Sequence, residues 1–176
     1  MPGPRYCEGE TITLRTIEAE DVEFCQRLVN HPRVRTRLFS DGPINRVQEQ
    51  EFIESATENG VNLLICVDGD PVGTIGYNDV NHRWGSAEIG YIVAPEAWNN
   101  GYATDALRTL TADAFDERRL HKLTAQIYAT NDASRRVLEN VGYTEEGVFR
   151  QEAFVDGAYV DVHRYGLLAE EFEASR

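Results

Sequence analysis

The chain has 176 residues, 41% of them hydrophobic and 10% aromatic, and its formal net charge is −13. This length and apolar content suit one compact domain, residues 1–176, while the acidic balance argues against nucleic acid as a partner. No run of about eighteen apolar residues occurs, so no membrane span is expected. No apolar stretch follows the first five residues, so no signal peptide is expected either, and the cytoplasm is the expected location.

The N-terminal half is predicted to hold one strand, two helices and a meander of three strands. Apolar residues alternate in the predicted strands and recur every three or four positions in the predicted helices. An Asp-Gly pair at 68–69 between apolar runs is typical of a hairpin turn. In chain order these elements are a strand at 11–15, a helix around 22–29, a turn at 40–43, a helix around 52–56, and strands at 62–67, 72–78 and 86–93.

The C-terminal half predicts two further helices and three further strands. The helices lie around 107–115 and 137–141, the second closed by Gly142, and the strands lie at 123–128, 144–149 and 158–167. The whole pattern predicts an α+β fold with a mixed, mostly antiparallel central sheet flanked by helices.

The lysine, cysteine and histidine content bears on the kind of surface and the kinds of site that the protein can have. Lys122 is the only lysine among 17 basic residues. An acidic surface that relies on arginine resembles proteins from salt-adapted cytoplasms, although it could instead steer a cationic substrate. The three cysteines (Cys7, Cys25 and Cys66) fit neither a disulfide framework nor a CxxC site, and Cys25 and Cys66 lie in apolar patterns that predict core thiols. The four histidines show no ligand spacing, so no metal is predicted.

A turn rich in asparagine and glycine joins the strand at 86–93 to the next helix. Unpaired N–H groups at a helix N-terminus, together with the helix dipole, favour an anion at that point. Gly101 lets the backbone approach a ligand, and Ala103 presents almost no side chain. A diphosphate could therefore lie against Asn99, Asn100, Gly101, Tyr102, Ala103 and Thr104. A plain strand-to-helix turn would have the same composition.

This turn resembles the coenzyme A pyrophosphate loop of the GNAT superfamily, usually written Gln/Arg-x-x-Gly-x-Gly/Ala. Gly101 and Ala103 match the last two fixed positions, whereas Trp98 stands where Gln or Arg is usual and removes a polar side chain from the phosphate site. A tryptophan there is familiar in the branch resembling ribosomal-protein N-terminal acetyltransferases (Rim-type). The resemblance implies the GNAT fold, with acetyl-CoA as co-substrate and an amine as acetyl acceptor.

A second match is Asn131-x-x-Ser134, followed by Leu-Glu-x-x-Gly-Tyr at 138–143 and Glu-Gly at 146–147. Without the resemblance, these residues would be a helix cap and an ordinary first turn. By resemblance, Asn131 would bond the pantetheine arm and Ser134 would lie near the coenzyme sulfur. Arg135 and Arg136 could reach the 3′-phosphate.

The strand before the loop is the third match. In the superfamily this strand splays from its parallel neighbour, and its free backbone amides pair with pantetheine. The resemblance therefore assigns the amides around Ile92 and Val93 to the coenzyme.

Proton transfer has two principal candidate residues, one base and one acid. Glu88 is the candidate base, directly or through water, although it could simply pair with an arginine; Glu152 is a weaker candidate. Ser134 is the candidate acid for the departing thiolate. Many GNAT enzymes use a tyrosine four residues further on, but that position is Leu138 here, so Tyr143 or water are the alternatives.

The sequence says least about the identity of the acetyl acceptor. The branch favours a protein or peptide N-terminal α-amine, while polyamines, aminoglycosides and amino acids are accepted on the same fold. A non-catalytic acyl-CoA sensor would carry the same motifs. Residues 19–60 would shape the acceptor pocket, with the basic run at 31–37 lining its mouth or, as we expect, facing solvent. An edge strand near the C-terminus could pair two copies as a homodimer.

Overall fold

One eight-stranded sheet organises the computed structural model, which describes residues 2–40 and 42–176. The strands are β1 (Arg5–Glu8), β2 (Thr13–Thr16), β3 (Val61–Val67), β4 (Asp70–Asn81), β5 (Ser86–Val93), β6 (Lys122–Tyr128), β7 (Thr144–Val155) and β8 (Ala158–Leu168). The helices are α1 (Val22–Asn30), α2 (Pro32–Arg35), α3 (Arg46–Glu58), α4 (Tyr102–Asp116), α5 (Asp132–Val141) and α6 (Ala169–Ser175). No helix of the described residues has the length and apolarity needed to cross a membrane.

The strand order is β1-β2-β3-β4-β5-β6-β8-β7, and β5 with β6 is the parallel pair among otherwise antiparallel neighbours. The predicted fold class is therefore confirmed. The sequence patterns missed three short elements, β1, α2 and α6, because segments of four to seven residues carry too few periods to stand out. Asp41, within the turn predicted at 40–43, lies outside the described residues.

Strand β7 is longer than predicted because a bulge lets it continue. Its register against β8 shifts between Phe149 and Ala153, and Gln151 there adopts a positive φ of 52°. The backbone N–H of Gln151 donates to a carboxylate oxygen of Asp161 over 2.8 Å, which satisfies a donor that the ladder leaves free. Periodicity ends at such a bulge although the strand does not.

Two apolar cores lie on opposite faces of the sheet. Leu63 and Ile65 of β3 belong to the larger core, which also contains Leu107 and Leu110 of α4, while Leu64 between them faces the smaller core. Successive strand residues point to opposite faces, so α4 and α5 cover one face and α1 and α3 the other. Cys25 and Cys66 lie in the smaller core, as predicted. Burial raises the pKa of these thiols to about 12 and about 11.

The parallel pair β5 and β6 separates partway along its length. Backbone pairing covers only three positions and ends with Glu88 opposite Thr124. Strand β5 nevertheless continues to Val93 and β6 to Tyr128, each held on its other side by an antiparallel neighbour. The sheet therefore opens into a wedge beyond Glu88, which agrees with the predicted splay.

Asp105 in the first turn of α4 fixes that helix to the β1–β2 connection. Its carboxylate accepts hydrogen bonds from the backbone N–H groups of Glu10, Thr11 and Ile12 and from the Thr11 hydroxyl. Partial burial acts to raise the pKa of Asp105, but these bonds to the ionised form outweigh it and lower the pKa below its usual value.

We expect Asp105→Asn to lower the free energy of unfolding by about 1–3 kcal/mol at pH 7, because an amide NH₂ would face backbone N–H donors. Since the folded-state pKa is depressed, the wild-type advantage is present above the unfolded value of about 3.9 and is lost as pH falls through the folded value. Urea unfolding across pH measures it.

Asp116→Asn is the matched control for this change. Asp116 also belongs to α4, but its carboxylate pairs with Arg176 at the surface. Exposed pairs contribute about 0–1 kcal/mol, so this variant should lose less stability. Equal losses for the two variants would show that the Asp105 hydrogen bonds do not anchor the helix.

Candidate active site

A cavity of about 790 Å³ occupies the wedge between β5 and β6. It extends from Glu88, the last paired position of β5, and Gln126, two residues beyond the last paired position of β6, to the loop after β5 and the first turn of α5. On the other face of the sheet it reaches α3 and the segment 34–39 after α1. The cavity is therefore lined from both faces of the sheet.

The loop after β5 presents a run of backbone donors to this cavity. Gly101 is the N-cap of α4 with a φ of 81°, a conformation that glycine adopts without a steric penalty, and Asn99 has a φ of 63°. Within the described residues no hydrogen bond uses the N–H groups of residues 99–104. The composition of the loop suggested an anion site, and its free N–H groups provide the geometry that such a site needs.

Two side chains of the loop hold its backbone in place through hydrogen bonds to carbonyl oxygens. The indole N–H of Trp98 donates to the carbonyl oxygen of Val93 over 2.7 Å, which ties the loop to the end of β5. The amide of Asn100 donates to the carbonyl oxygens of Ala97 and Trp98 over 3.1 and 3.0 Å. Asn100 was predicted to contact the coenzyme but does not line the cavity, because its side chain folds back to close the turn.

The first turn of α5 forms the opposite lip. The Asn131 side chain accepts a hydrogen bond from the Ser134 N–H over 3.3 Å, and both residues line the cavity. The two neighbouring arginines differ. Arg136 lines the cavity, whereas the Arg135 guanidinium donates to the Ala129 carbonyl oxygen and pairs with Asp132.

Glu88 stands at the point where the wedge begins. One carboxylate oxygen accepts a hydrogen bond from the Gln126 side chain over 3.1 Å, so its partner is a neutral amide rather than an arginine. Among the described residues that line the cavity, Glu88 is the single acidic side chain. A carboxylate held by one neutral donor retains free lone pairs that can accept a proton.

All the predicted site residues meet in this cavity except Asn100, Arg135 and the alternative proton-transfer candidates Tyr143 and Glu152. They come from three separate parts of the chain, the end of β5, the loop and first turn of α4, and the first turn of α5. The residues are Glu88, Ile92, Val93, Asn99, Gly101, Tyr102, Ala103, Thr104, Asn131, Ser134 and Arg136.

The structure separates the alternatives for the proton donor. Tyr143 is buried, bonds with Thr111 over 3.0 Å and does not line the cavity, so it is out of reach of a thioester. Leu138 forms part of the cavity wall, as its position one turn after Ser134 requires. Glu152, the weaker base candidate, lies exposed on the edge strand β7 and outside the cavity.

Tyr91 lines the cavity although the sequence patterns did not single it out. Its hydroxyl donates to the backbone carbonyl oxygen of Ser134 over 3.4 Å, which links β5 to the first turn of α5 across the wedge. Burial raises the pKa of Tyr91 to about 12, so the hydroxyl keeps its proton at neutral pH. Its place on β5, three residues after Glu88 and one before Ile92, was the available signal.

The segment 33–39 crosses the open end of the wedge. On the β6 side, the Leu38 carbonyl oxygen accepts a hydrogen bond from the Tyr128 hydroxyl over 2.8 Å, and the rings of Phe39 and Tyr128 lie 4.5 Å apart. On the β5 side, the guanidinium groups of Arg33 and Arg37 lie 4.5 and 4.3 Å from the Trp98 ring centroid. Arg37 lines the cavity and is at the same time exposed, so the basic run meets both expectations there, lining the mouth and facing solvent.

Comparisons with known proteins agree with this geometry. The family model described as "Acetyltransferase (GNAT) domain" matches residues 11–144. The chain is 32% identical to "Putative ribosomal N-acetyltransferase YdaF" of Bacillus subtilis (strain 168), over 96% of this chain and 97% of that one. It is 26% identical to spermidine N(1)-acetyltransferase of Vibrio cholerae serotype O1, over 92% of this chain and 95% of that one.

A solved structure shows the same relationship in three dimensions. Mycobacterium smegmatis RimJ in complex with CoA-disulfide superposes with a TM-score of 0.82 at 27% identity, covering 97% of this chain and 88% of that one. The match to the family model and the relative at 32% identity each cover well over half of the chain. This protein therefore belongs to the GNAT acetyltransferase family and is an N-acetyltransferase.

Proposed function

We propose that this enzyme transfers the acetyl group of acetyl-CoA to a primary amine, and that the amine is the N-terminal α-amine of a protein or peptide. The observation that carries the proposal is the wedge itself. It combines unpaired strand amides, a donor-rich helix N-terminus and one carboxylate in a single cavity that opens to both faces of the sheet.

The coenzyme would occupy the side of the wedge next to α4 and α5. Its diphosphate would accept hydrogen bonds from the N–H groups of residues 99–104, and its pantetheine arm would pair with the backbone around Ile92 and Val93. That part of β5 pairs with β4 on one side and has no strand partner on the other. Asn131 would bond the arm, and Arg136 would reach the 3′-phosphate.

The acceptor would approach from the side of α1 and α3. Glu88 takes the proton of the attacking amine, directly or through water, as the new N–C bond forms. The C–S bond then breaks, and the Ser134 hydroxyl donates a proton to the thiolate. Because the amine attacks the thioester directly, no covalent enzyme intermediate forms, and holding both substrates in line supplies much of the acceleration.

The composition of the cavity favours an acceptor with a single positive charge. A polyamine carries several ammonium groups and would require several carboxylates, whereas Glu88 is the only acidic residue among those described that line the cavity. The acceptor side has apolar and aromatic walls from Leu38, Phe39 and Phe52. Such walls suit a peptide N-terminus. Spermidine remains the second candidate, because a relative at 26% identity is named for it.

Free-thiol release from acetyl-CoA tests this function. Peptides with different N-terminal residues, spermidine, an aminoglycoside and free amino acids would be compared at low and high salt. We expect release with peptides and little with spermidine. Rapid release with spermidine alone would overturn the acceptor assignment, and coenzyme binding without release for any amine would favour a sensor.

Further expectations remain part of this proposal, namely one domain over residues 1–176, a cytoplasmic location and a homodimer. The homodimer is supported by the β7–β8 hairpin at the sheet edge, which exposes large apolar side chains. They are Val148, Phe149, Phe154 and Tyr159. An exposed edge with apolar side chains is a usual site of association between copies.

We expect Gly101→Val to weaken acetyl-CoA binding about tenfold or more, or about 1.4 kcal/mol, because valine strains the turn and obstructs the approach of the diphosphate. Titration calorimetry measures the change. Gly157→Val is the matched control, since Gly157 has a φ of 83° in the β7–β8 turn, far from the cavity. Equal affinity in a folded Gly101→Val protein would refute the placement of the diphosphate.

Glu88→Gln should reduce turnover about 100-fold near pH 7, with a gap that narrows above about pH 8, where the α-amine deprotonates without help. The pH dependence of kcat/KM with a peptide acceptor checks this. Glu152→Gln makes the same charge change outside the cavity and should leave the profile unaltered. A Glu88→Gln profile that matches the wild type would remove Glu88 from the mechanism.

A further inference from the structure

Two arginine side chains converge on one tryptophan at the mouth of the cavity. The guanidinium groups of Arg33 and Arg37 lie 4.5 and 4.3 Å from the ring centroid of Trp98. Trp98 is itself held by its hydrogen bond to the Val93 carbonyl oxygen. Contact with a fixed ring orients both guanidinium groups, and the two side chains are called the arginine pair below.

This arginine pair has no negative partner in the part of the chain that the structure describes. Other arginines of the protein do pair, as Arg27 with Glu23 and Arg176 with Asp116 show. Two like charges four residues apart repel each other, and a chain with 30 acidic residues has many carboxylates that could have neutralised them. An unneutralised pair at a cavity mouth is suited to bind an anion from outside the chain.

The neighbouring loop lacks the charge that this pair provides. Between Pro95 and Thr104 the sequence has one charged side chain, Glu96, and it is negative. The N–H groups of residues 99–104 offer hydrogen bonds but no full positive charge, and they begin one residue after Trp98. Two groups that can bind an anion are therefore neighbours at Trp98. They are the free N–H groups of the loop and the arginine pair from the segment around α2.

We propose that Arg33 and Arg37, stacked on Trp98, bind the diphosphate of acetyl-CoA from the side opposite the α4 N-terminus. This inference rests on the proposed function. The tryptophan that replaces the usual polar residue of the loop thereby recruits two cations from elsewhere in the chain. It also brings Arg33 of α2 and Arg37, from the segment that borders the acceptor side, into the coenzyme site.

The test compares Arg33→Gln, Arg37→Gln and the double variant with Arg35→Gln. Arg35 lies on α2, the same short helix as Arg33. It is exposed and has no ring or ion-pair contact among the described residues, so it controls for the loss of charge alone. Dissociation constants would be measured for acetyl-CoA, for its 3′-dephospho form and for acetyl-pantetheine, which lacks the diphosphate. All four proteins are expected to fold, since the altered side chains are exposed.

We expect each single variant to bind acetyl-CoA about tenfold more weakly, and the double variant more weakly still. The 3′-dephospho form should show the same losses, acetyl-pantetheine should show none, and Arg35→Gln should resemble the wild type. The salt dependence of binding should also decrease in the double variant, because fewer charges contact phosphate.

Three outcomes would overturn the assignment. If the variants lost affinity for acetyl-CoA but not for the dephospho form, the arginine pair would be assigned to the 3′-phosphate instead. Unchanged coenzyme affinity with a raised KM for the peptide would assign the pair to an acidic group of the acceptor. Losses equal to those of Arg35→Gln would indicate only a general charge effect. A wild-type protein that does not bind acetyl-CoA would instead contradict the proposed function, so the two failures are distinguishable.

Discussion

The end of backbone pairing between β5 and β6 is the constraint on which the rest of the structure depends. After Glu88 and Thr124 the two strands no longer share hydrogen bonds, yet each remains fixed by its antiparallel neighbour. Unpaired strand amides normally carry a free-energy cost in a protein interior, and the sheet tolerates them here because they line a cavity. A ligand with its own amide groups, such as pantetheine, can complete the pairing. The opening also extends to the opposite face of the sheet, where the cavity reaches α3 and the segment 34–39.

Charge is distributed so that an acidic protein can still receive an anionic coenzyme. The formal charge of −13 repels phosphate at long range, and the loop after β5 contributes no cationic side chain. Attraction must therefore come from short-range groups. The candidates are the N–H groups at the α4 N-terminus, Arg136 on α5, and the arginine pair on Trp98. Glu88 is hydrogen-bonded to a neutral amide and forms no ion pair with these cations among the described residues.

Local patterns predicted the parts of the site that depend on short stretches of sequence. The loop at 99–104 and the cap formed by Asn131 and Ser134 lie as expected, because a helix start fixes its own geometry. Most elements were also predicted, since each spans several periods. The contacts of Trp98 with Arg33 and Arg37, and of Tyr91 with Ser134, could not be predicted. They join residues 43 to 65 positions apart, and only the assembled sheet brings them together.

We propose that the wedge between β5 and β6 holds the pantetheine arm of acetyl-CoA with its diphosphate on the α4 N-terminus. A crystal structure of the enzyme with acetyl-CoA would test this placement. We expect diphosphate oxygens within about 3 Å of N–H groups among residues 99–104, and pantetheine amides paired with the backbone around Ile92 and Val93. A coenzyme bound outside the wedge, or a diphosphate remote from that loop, would contradict it.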